Sequence, residues 1–186
     1  MIEKLIARLN GLHPMSDELT QKIMSITRIT SHPKKTILLK EGSLVISGLV
    51  RSYYLNEEKE ITSRIMDEGF IITSWISFYT RKPGNEYLET IEDTILACVH
   101  YNDIQNLYEE FPEFNIIGRK QVEYSFYMSE LRTRMLHKHT AEEKYKFFLE
   151  NHPNLLQRVA LKHVATYLGM NEETLSRVRS QYHKAK

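Results

Sequence analysis

A chain of 186 residues with 41% hydrophobic residues and a formal net charge of +1 can bury a real core as one large or two small domains, and its composition is neither disordered nor fibrous. Its one cysteine, Cys98, excludes an intrachain disulfide framework, a cysteine-ligated zinc site and a four-cysteine iron–sulfur cluster, which fits a reducing compartment. No apolar run reaches the roughly eighteen residues of a membrane span, and MIEKLIARLNGLHP lacks the apolar core and small-residue cleavage pattern of a secretory signal, so a soluble cytoplasmic protein with no membrane partner is expected.

Helical spacing runs from Ile2 to Leu12 and from Asp17 to Ile26, with Ser16 as the cap of the second segment and Asp17 and Glu18 in its first turn. From Thr36 to Val99 the character changes to short β-branched and aromatic runs: TILL, SGLVRSYYL, EITSRIM, FIITSWISFY and YLETIEDTILACV. Turn-forming EG, NEEKE, DEG and RKPGNE separate them, and this pattern predicts a β-sandwich or barrel.

Beyond Phe111 the pattern is helical again. Ile117, Gln121, Tyr124, Met128, Leu131 and Met135 alternate four and three residues apart, the spacing of a coiled-coil seam. A helix from Phe114 to Leu136 would be about 34 Å long at 1.5 Å per residue. It reads as the seam of a homodimer, with packing inside one subunit as the alternative. The polar break HKHT follows, and Thr140 with Glu143 forms a capping-box pattern that opens TAEEKYKFFLEN.

The stretch LKHVATYLGMNEETLSRVR, Leu161 to Arg179, carries most of the functional argument. Val164, Leu168, Leu175 and Val178 face inward if one helix ends near Leu168 and another begins at Glu172. Ala165 and Gly169 fall where the helices must approach closely, and Gly169 can take the positive φ that stops the first helix abruptly. Asn171 then caps the second helix, with Glu172 and Glu173 in its first turn, where negative charge suits the helix dipole.

In a helix-turn-helix the N-terminal side chains of the second helix point at base edges in the major groove. Here those are Glu172, Glu173, Thr174, Ser176 and Arg177, with Arg179 following. An arginine can pair bidentately with guanine while a carboxylate accepts from cytosine. The alternative is a plain helical hairpin in which Glu173 and Arg177 form a solvated i,i+4 ion pair. Charge adds support. Residues 1–110 hold 12 Lys+Arg against 16 Asp+Glu, and residues 111–186 hold 13 against 8, so the parts carry −4 and +5. An acidic body joined to a basic module fits one phosphate-facing end.

The order of helical lead, β-rich body, seam helix and C-terminal helix-turn-helix resembles the Crp/Fnr family of bacterial transcription regulators across nearly the whole chain. Two segments carry the likeness: SGLVRSYYL with KEIT at Lys59 to Thr62, which looks like the family's β-roll, and YLGMNEETLSRVR at Tyr167 to Arg179, which looks like its DNA-reading unit. The resemblance implies an α+β fold: an N-terminal β-roll of the cyclic-nucleotide-binding jelly-roll type, a long dimerisation helix and a C-terminal helical helix-turn-helix domain. It implies a homodimer on double-stranded DNA, reading half-sites about 34 Å apart, with RNA polymerase as a further partner. Position by position, Glu173 and Arg177 match the family's base-reading glutamate and arginine, and Thr174 matches a backbone-contacting residue. Glu172 replaces a residue that is often basic.

Family members that bind a cyclic nucleotide carry a Gly-Glu-Leu stretch and, after a short helix, an Arg-Ser/Thr-Ala stretch. Here Gly69 is present, but the ribose glutamate falls at about Thr73 or Ser74 and the phosphate arginine falls near Gly84 or Asn85. Glu86 and Glu89 bring negative charge toward the phosphate position. Gly69, Thr73, Ser74 and Glu86 are therefore the candidate effector-pocket residues, no cofactor is expected, and cyclic AMP or GMP in the usual pose is not. Arg81 and Lys82 read either as substitutes or as an exposed turn before Pro83 and Gly84.

No phosphate loop, nucleophile elbow or metalloprotease motif is present, so no enzyme activity is expected. His137 and His139 lie on different helical faces and the other histidines are scattered, so no metal site is expected. Trp75, Phe78 and Tyr79 line an apolar pocket or belong to the core. The expected division is 1–110 for the sensor body, 111–138 for the dimerisation helix and 139–186 for the DNA-binding domain. The competing reading is a ligand-binding or protein-interaction module whose C-terminal helices contact a protein.

Overall fold

The structure is a computed structural model, described here for residues 1–38, 42–138 and 140–184, with the side chains of Lys138 and His183 left out. Glu41 in the first predicted turn and His139 of the histidine pair lie outside the described residues. The elements in chain order begin with helices α1 (Ile2–Leu12) and α2 (Asp17–Ile26). Strands β1 (Arg28–His32), β2 (Gly42–Ser47), β3 (Val50–Asn56), β4 (Lys59–Met66) and β5 (Ile71–Ile72) follow, then the short helix α3 (Trp75–Thr80) and strands β6 (Glu86–Thr90) and β7 (Thr94–Val99). The rest is helical: α4 (Tyr101–Glu110), α5 (Pro112–Lys138), α6 (Ala141–Asn151), a 3-10 turn at Leu155–Gln157, α7 (Leu161–Tyr167) and α8 (Glu172–Lys184).

The seven strands form two sheets, ordered β1-β7-β2-β5 and β4-β3-β6. In the first, β7 pairs antiparallel with both β1 and β2, in registers such as Arg28 opposite Cys98 and Leu44 opposite Ala97. Period-two alternation divides its side chains between two cores. Leu44, Ile46 and Ala97 pack with Leu5, Leu9, Leu19, Ile23, Leu107 and Ile117. Val45, Leu96 and Cys98 pack with Val50, Met66, Ile72 and Leu88. Cys98 is a buried packing residue, with the Ser43 hydroxyl 3.1 Å from its sulfur.

Contacts group the chain into two compact units, Met1–Ser52 with Ile65–Ser125, and Tyr53–Arg64 with Phe126–Lys186. The sequence-based division at residues 110 and 138 follows chain order. The contacts instead cut inside α5 and assign the β3–β4 hairpin to the same unit as α6, α7 and α8.

Three strand expectations are corrected. Among the described residues of TILL, Ile37 forms an isolated bridge with Glu89 and no longer strand is present. FIITSWISFY yields the two-residue β5 and then α3, because Ser74 and Ser77, three residues apart, are the buried positions while Trp75, Ile76 and Tyr79 face solvent. Strands β1 and β2 lie outside the runs expected from β-branched content, apart from the final Ser47 of β2. The helix caps match local chemistry: Ser16 accepts from Leu19 N at 3.1 Å, and Thr140 and Glu143 form the reciprocal capping box.

Between β2 and β3 the chain turns at Gly48, with φ of 103°. A Cβ there would lie 2.5 Å from Thr94 Oγ1 and 2.7 Å from the Asp93 carbonyl oxygen. Replacing Gly48 with alanine is therefore expected to lower unfolding free energy by about 3 kcal/mol, the upper end for local backbone strain, with an unchanged denaturant slope. An unfolding free energy within about 0.5 kcal/mol of the parent would contradict this packing.

Candidate nucleic-acid interface and effector pocket

The second unit is built around the side chains that its helices bury: Met135, Tyr145, Phe148, Leu155, Val159, Val164, Ala165, Tyr167, Leu168, Leu175 and Val178. α7 ends in a Schellman turn, in which Met170 N donates to Ala165 O at 3.0 Å and Gly169 N donates to Thr166 O at 3.1 Å. Gly169 has φ of 65°, and a Cβ on it would lie 2.9 Å from Leu136 Cδ2. The left-handed backbone expected at this position is present, while the neighbour it meets is Leu136 of α5 rather than the other helix of the pair. Thr174 N then donates to Asn171 Oδ1 at 2.7 Å, which caps α8.

The buried Leu175 and Val178 turn one stripe of α8 inward. Glu172, Glu173, Ser176, Arg177 and Arg179 are exposed and Thr174 is half-buried. Glu173 and Arg177 share one helical face, and neither is engaged by a hydrogen bond or ion pair. The solvated i,i+4 pair of the plain-hairpin alternative does not form, so both side chains keep their full bonding capacity for an external partner.

On α5 the expected seam residues divide. Ile117 and Met135 are buried by the chain itself, at 2% and 0% exposure, and are core residues rather than seam residues. Gln121, Met128 and Leu131 are half-buried and Tyr124 is 40% exposed. The large exposed apolar side chains on a different face are Val122 at 52% and Phe126 at 66%, and Ser129 and Thr133 continue their four-three-four spacing. Val122 and Phe126 lie outside the heptad positions read from the sequence.

In the first unit a small polar cavity of about 90 Å³ lies beside α3, lined by Thr73, Ser74, Ser77, Phe78, Arg81, Lys82 and Pro83. Thr73 and Ser74, both predicted, line it; Gly69 and Glu86 do not. Gly69 instead donates its N–H to the Val45 carbonyl at 2.9 Å, and its own carbonyl accepts from Arg8 Nε at 3.2 Å. Glu86 accepts a short hydrogen bond from the Ser52 hydroxyl, and Glu89 is held by Arg51, whose Nη2 lies 2.5 Å from its carboxylate in a largely buried pair. The negative charge expected near a phosphate position is therefore partly spent inside the sheet.

Sequence reasoning missed Ser77, because a serine inside an apparent strand carries no pocket signal. The Ser77 hydroxyl oxygen accepts from Gly84 N at 3.0 Å and bonds Ser74 Oγ at 3.3 Å. That mutual bond uses one of the pair's two protons, so one O–H remains unspent in a region where both residues are buried. The Arg81 guanidinium lies 3.7 Å from the Tyr101 ring centroid and its backbone is left-handed, at φ of 58°. No carboxylate lines the cavity. Of the aromatic trio, Phe78 lines it, while Tyr79 is 88% exposed and Trp75 is partly exposed and packs edge-on against Phe78. Among the described residues no three His, Cys, Asp or Glu side chains converge on a metal position, and no helix is long and apolar enough to cross a membrane.

No protein-family profile matches the sequence, and no curated protein sequence matches it. Solved structures do. FixK2 from Bradyrhizobium japonicum is 19% identical, with 86% of each chain covered and a TM-score of 0.75. A transcriptional regulator of the Crp/Fnr family from Eubacterium rectale is 17% identical over 92% of this chain and 85% of that one, with a TM-score of 0.69. The c-di-GMP-responsive global regulator CLP of Xanthomonas campestris is 15% identical over 91% of this chain and 93% of that one, with a TM-score of 0.70. The long helix between a two-sheet β-roll and a helix-turn-helix is common ground at these low identities, and the chain therefore has the fold of the Crp/Fnr regulators.

Proposed function

We propose that this protein is a homodimeric, sequence-specific DNA-binding transcription regulator of the cytoplasm, without catalytic activity, that works with RNA polymerase. The observation that carries the reading is the unspent polar face of α8: Glu173 and Arg177 exposed and unpaired at its N-terminal end, with Glu172, Thr174, Ser176 and Arg179 around them. A carboxylate and a guanidinium one turn apart suit a cytosine and a guanine edge in the major groove. The fold shared with known regulators supports the same reading. The second copy packs on α5, where the chain itself leaves apolar side chains such as Phe126 uncovered.

The effector of this reading is not a cyclic nucleotide. A cavity of about 90 Å³ is far below the roughly 300 Å³ at which ordinary ligand pockets begin. Its lining offers hydroxyl, ammonium and guanidinium donors without a carboxylate, which favours a small anion.

Selection of bound sequences from a randomised duplex pool, with and without cyclic AMP, is the direct test. A two-fold-related motif that is unchanged by the nucleotide is expected. No enrichment would favour a protein-interaction module, and a shallow dependence of affinity on salt would point the same way, because phosphate contacts release counterions. On the selected site, Arg177→Ala should lose about 1–3 kcal/mol of specific binding and much less on random DNA; equal losses on both would contradict base reading. Introducing glutamate at Val122 and Phe126 together should give monomers by light scattering, and an unchanged dimer mass would place the interface elsewhere.

A further inference from the structure

Arg132, on the second-unit part of α5, is a poorly exposed cation with no carboxylate partner. Its Nη2 donates to Thr62 O on β4 at 3.3 Å and to Tyr167 O at the end of α7 at 3.1 Å. Its guanidinium carbon lies 4.9 Å from the centroid of the Tyr167 ring. Burial pushes the guanidinium pKa down, and the nearby phenols of Tyr167 and Tyr54 oppose that shift. Beside it, Thr62 N donates to Thr166 Oγ1 at 3.2 Å. The β3–β4 hairpin is thereby tied twice to α7, once directly and once through Arg132.

Two features separate this junction from ordinary packing. The carbonyls of Ala165 and Thr166 are used by the Schellman turn, whereas Tyr167 O, beyond them, takes its hydrogen bond from Arg132. That position is the negative end of the helix, where a cation is favoured. In addition, Arg132 Nε and Thr62 Oγ1 are both buried without a hydrogen-bond partner. A contact that served stability alone would be made as well or better by packed apolar side chains than by a half-buried cation and two orphaned polar atoms.

We propose that Arg132 is the positioning residue of the DNA-reading pair: it clamps the C-terminal end of α7 to the β3–β4 hairpin and so sets the direction in which α8 leaves the turn. The residue touches no base in this account. It acts through Tyr167 O, Gly169 and Asn171, and the hairpin is its anchor. The clamp concerns the internal geometry of the second unit, and the functional weight given to it rests on the DNA-binding reading of α8.

The test measures geometry before DNA enters. In a Cys98→Ala background, nitroxide labels on Glu58→Cys at the hairpin tip and Gln181→Cys on α8 report their separation by pulsed electron resonance, with labelled protein diluted in unlabelled protein to suppress distances between copies. With Arg132 intact, one narrow distance is expected. Arg132→Met should at least double the width of the distribution while circular dichroism and the unfolding midpoint stay near the parent. Arg132→Lys, which keeps the charge, should restore part of the narrowing. Thr62→Val, which keeps the carbonyl and removes only an orphaned hydroxyl, should leave the width unchanged. A narrow parental distance in Arg132→Met overturns the proposal, and so does broadening in Thr62→Val equal to that in Arg132→Met. On the selected duplex, Arg132→Met should bind about tenfold more weakly with non-specific affinity unchanged. Broadened distances with full specific affinity would also overturn the positioning role. A parent protein that selects no sequence would sink the DNA-binding reading instead, and the distance result, obtained without DNA, tells the two failures apart.

Discussion

The break between α7 and α8 depends on one backbone conformation, the left-handed turn at Gly169. An L-residue at φ of 65° is strained, so glycine answers a conformational demand, while the Leu136 methyl 2.9 Å from an added Cβ sits at the end of a side chain that can shift. Because α7 stops there within one residue, Leu168 stays buried and Asn171 arrives in place to cap α8. The polar N-terminal face of α8 then follows from geometry: with Leu175 and Val178 turned into the core, Glu173 and Arg177 have only solvent to face. The turn thus leaves both side chains exposed on one helical face and uncommitted among the described residues.

The β-roll holds a small polar cavity beside α3. α3 inverts the usual amphipathic rule: its inward residues are serines, and its outward residues are Trp75, Ile76 and Tyr79. Hydroxyls are tolerated inside because they bond one another and the Gly84 amide, and the unspent proton gives the small cavity a donor. Glu86 and Glu89, which from sequence stand out as free negative charge, are engaged by Ser52 and Arg51. The arrangement leaves the cavity rim to Arg81 and Lys82 and makes it electropositive.

The long helix shows the difference between a period and a phase. Its heptad spacing is a property of the sequence, and a helix over this region was expected and is present from Pro112 to Lys138. Which face the chain covers is decided by what packs against it. Ile117 is covered by Leu107, Phe111, Phe114 and the N-terminal helices, so the apolar stripe left outside is the one carrying Val122 and Phe126.

What the sequence by itself determined is what short-range chemistry controls. Ser16, Thr140 with Glu143, Gly169 and Asn171 each act on a backbone group within five residues, and so α2, α6, the turn and the start of α8 were legible before any contact was known. The order of helical lead, β-rich body and helical end followed from the same rules, and so did the inward positions of Leu175 and Val178 on α8. Tertiary structure alone decided the rest: the helical state of WISFYT, the strands around residues 28–47, the buried partners of Glu86 and Glu89, the free face of α5, and the clamp of Arg132 on Thr62 and Tyr167. Several of those depend on residues 34 to 70 positions apart, such as Ser52 with Glu86 and Thr62 with Arg132. No local pattern encodes such a pairing, because burial and hydrogen bonding there are set by which distant segment arrives.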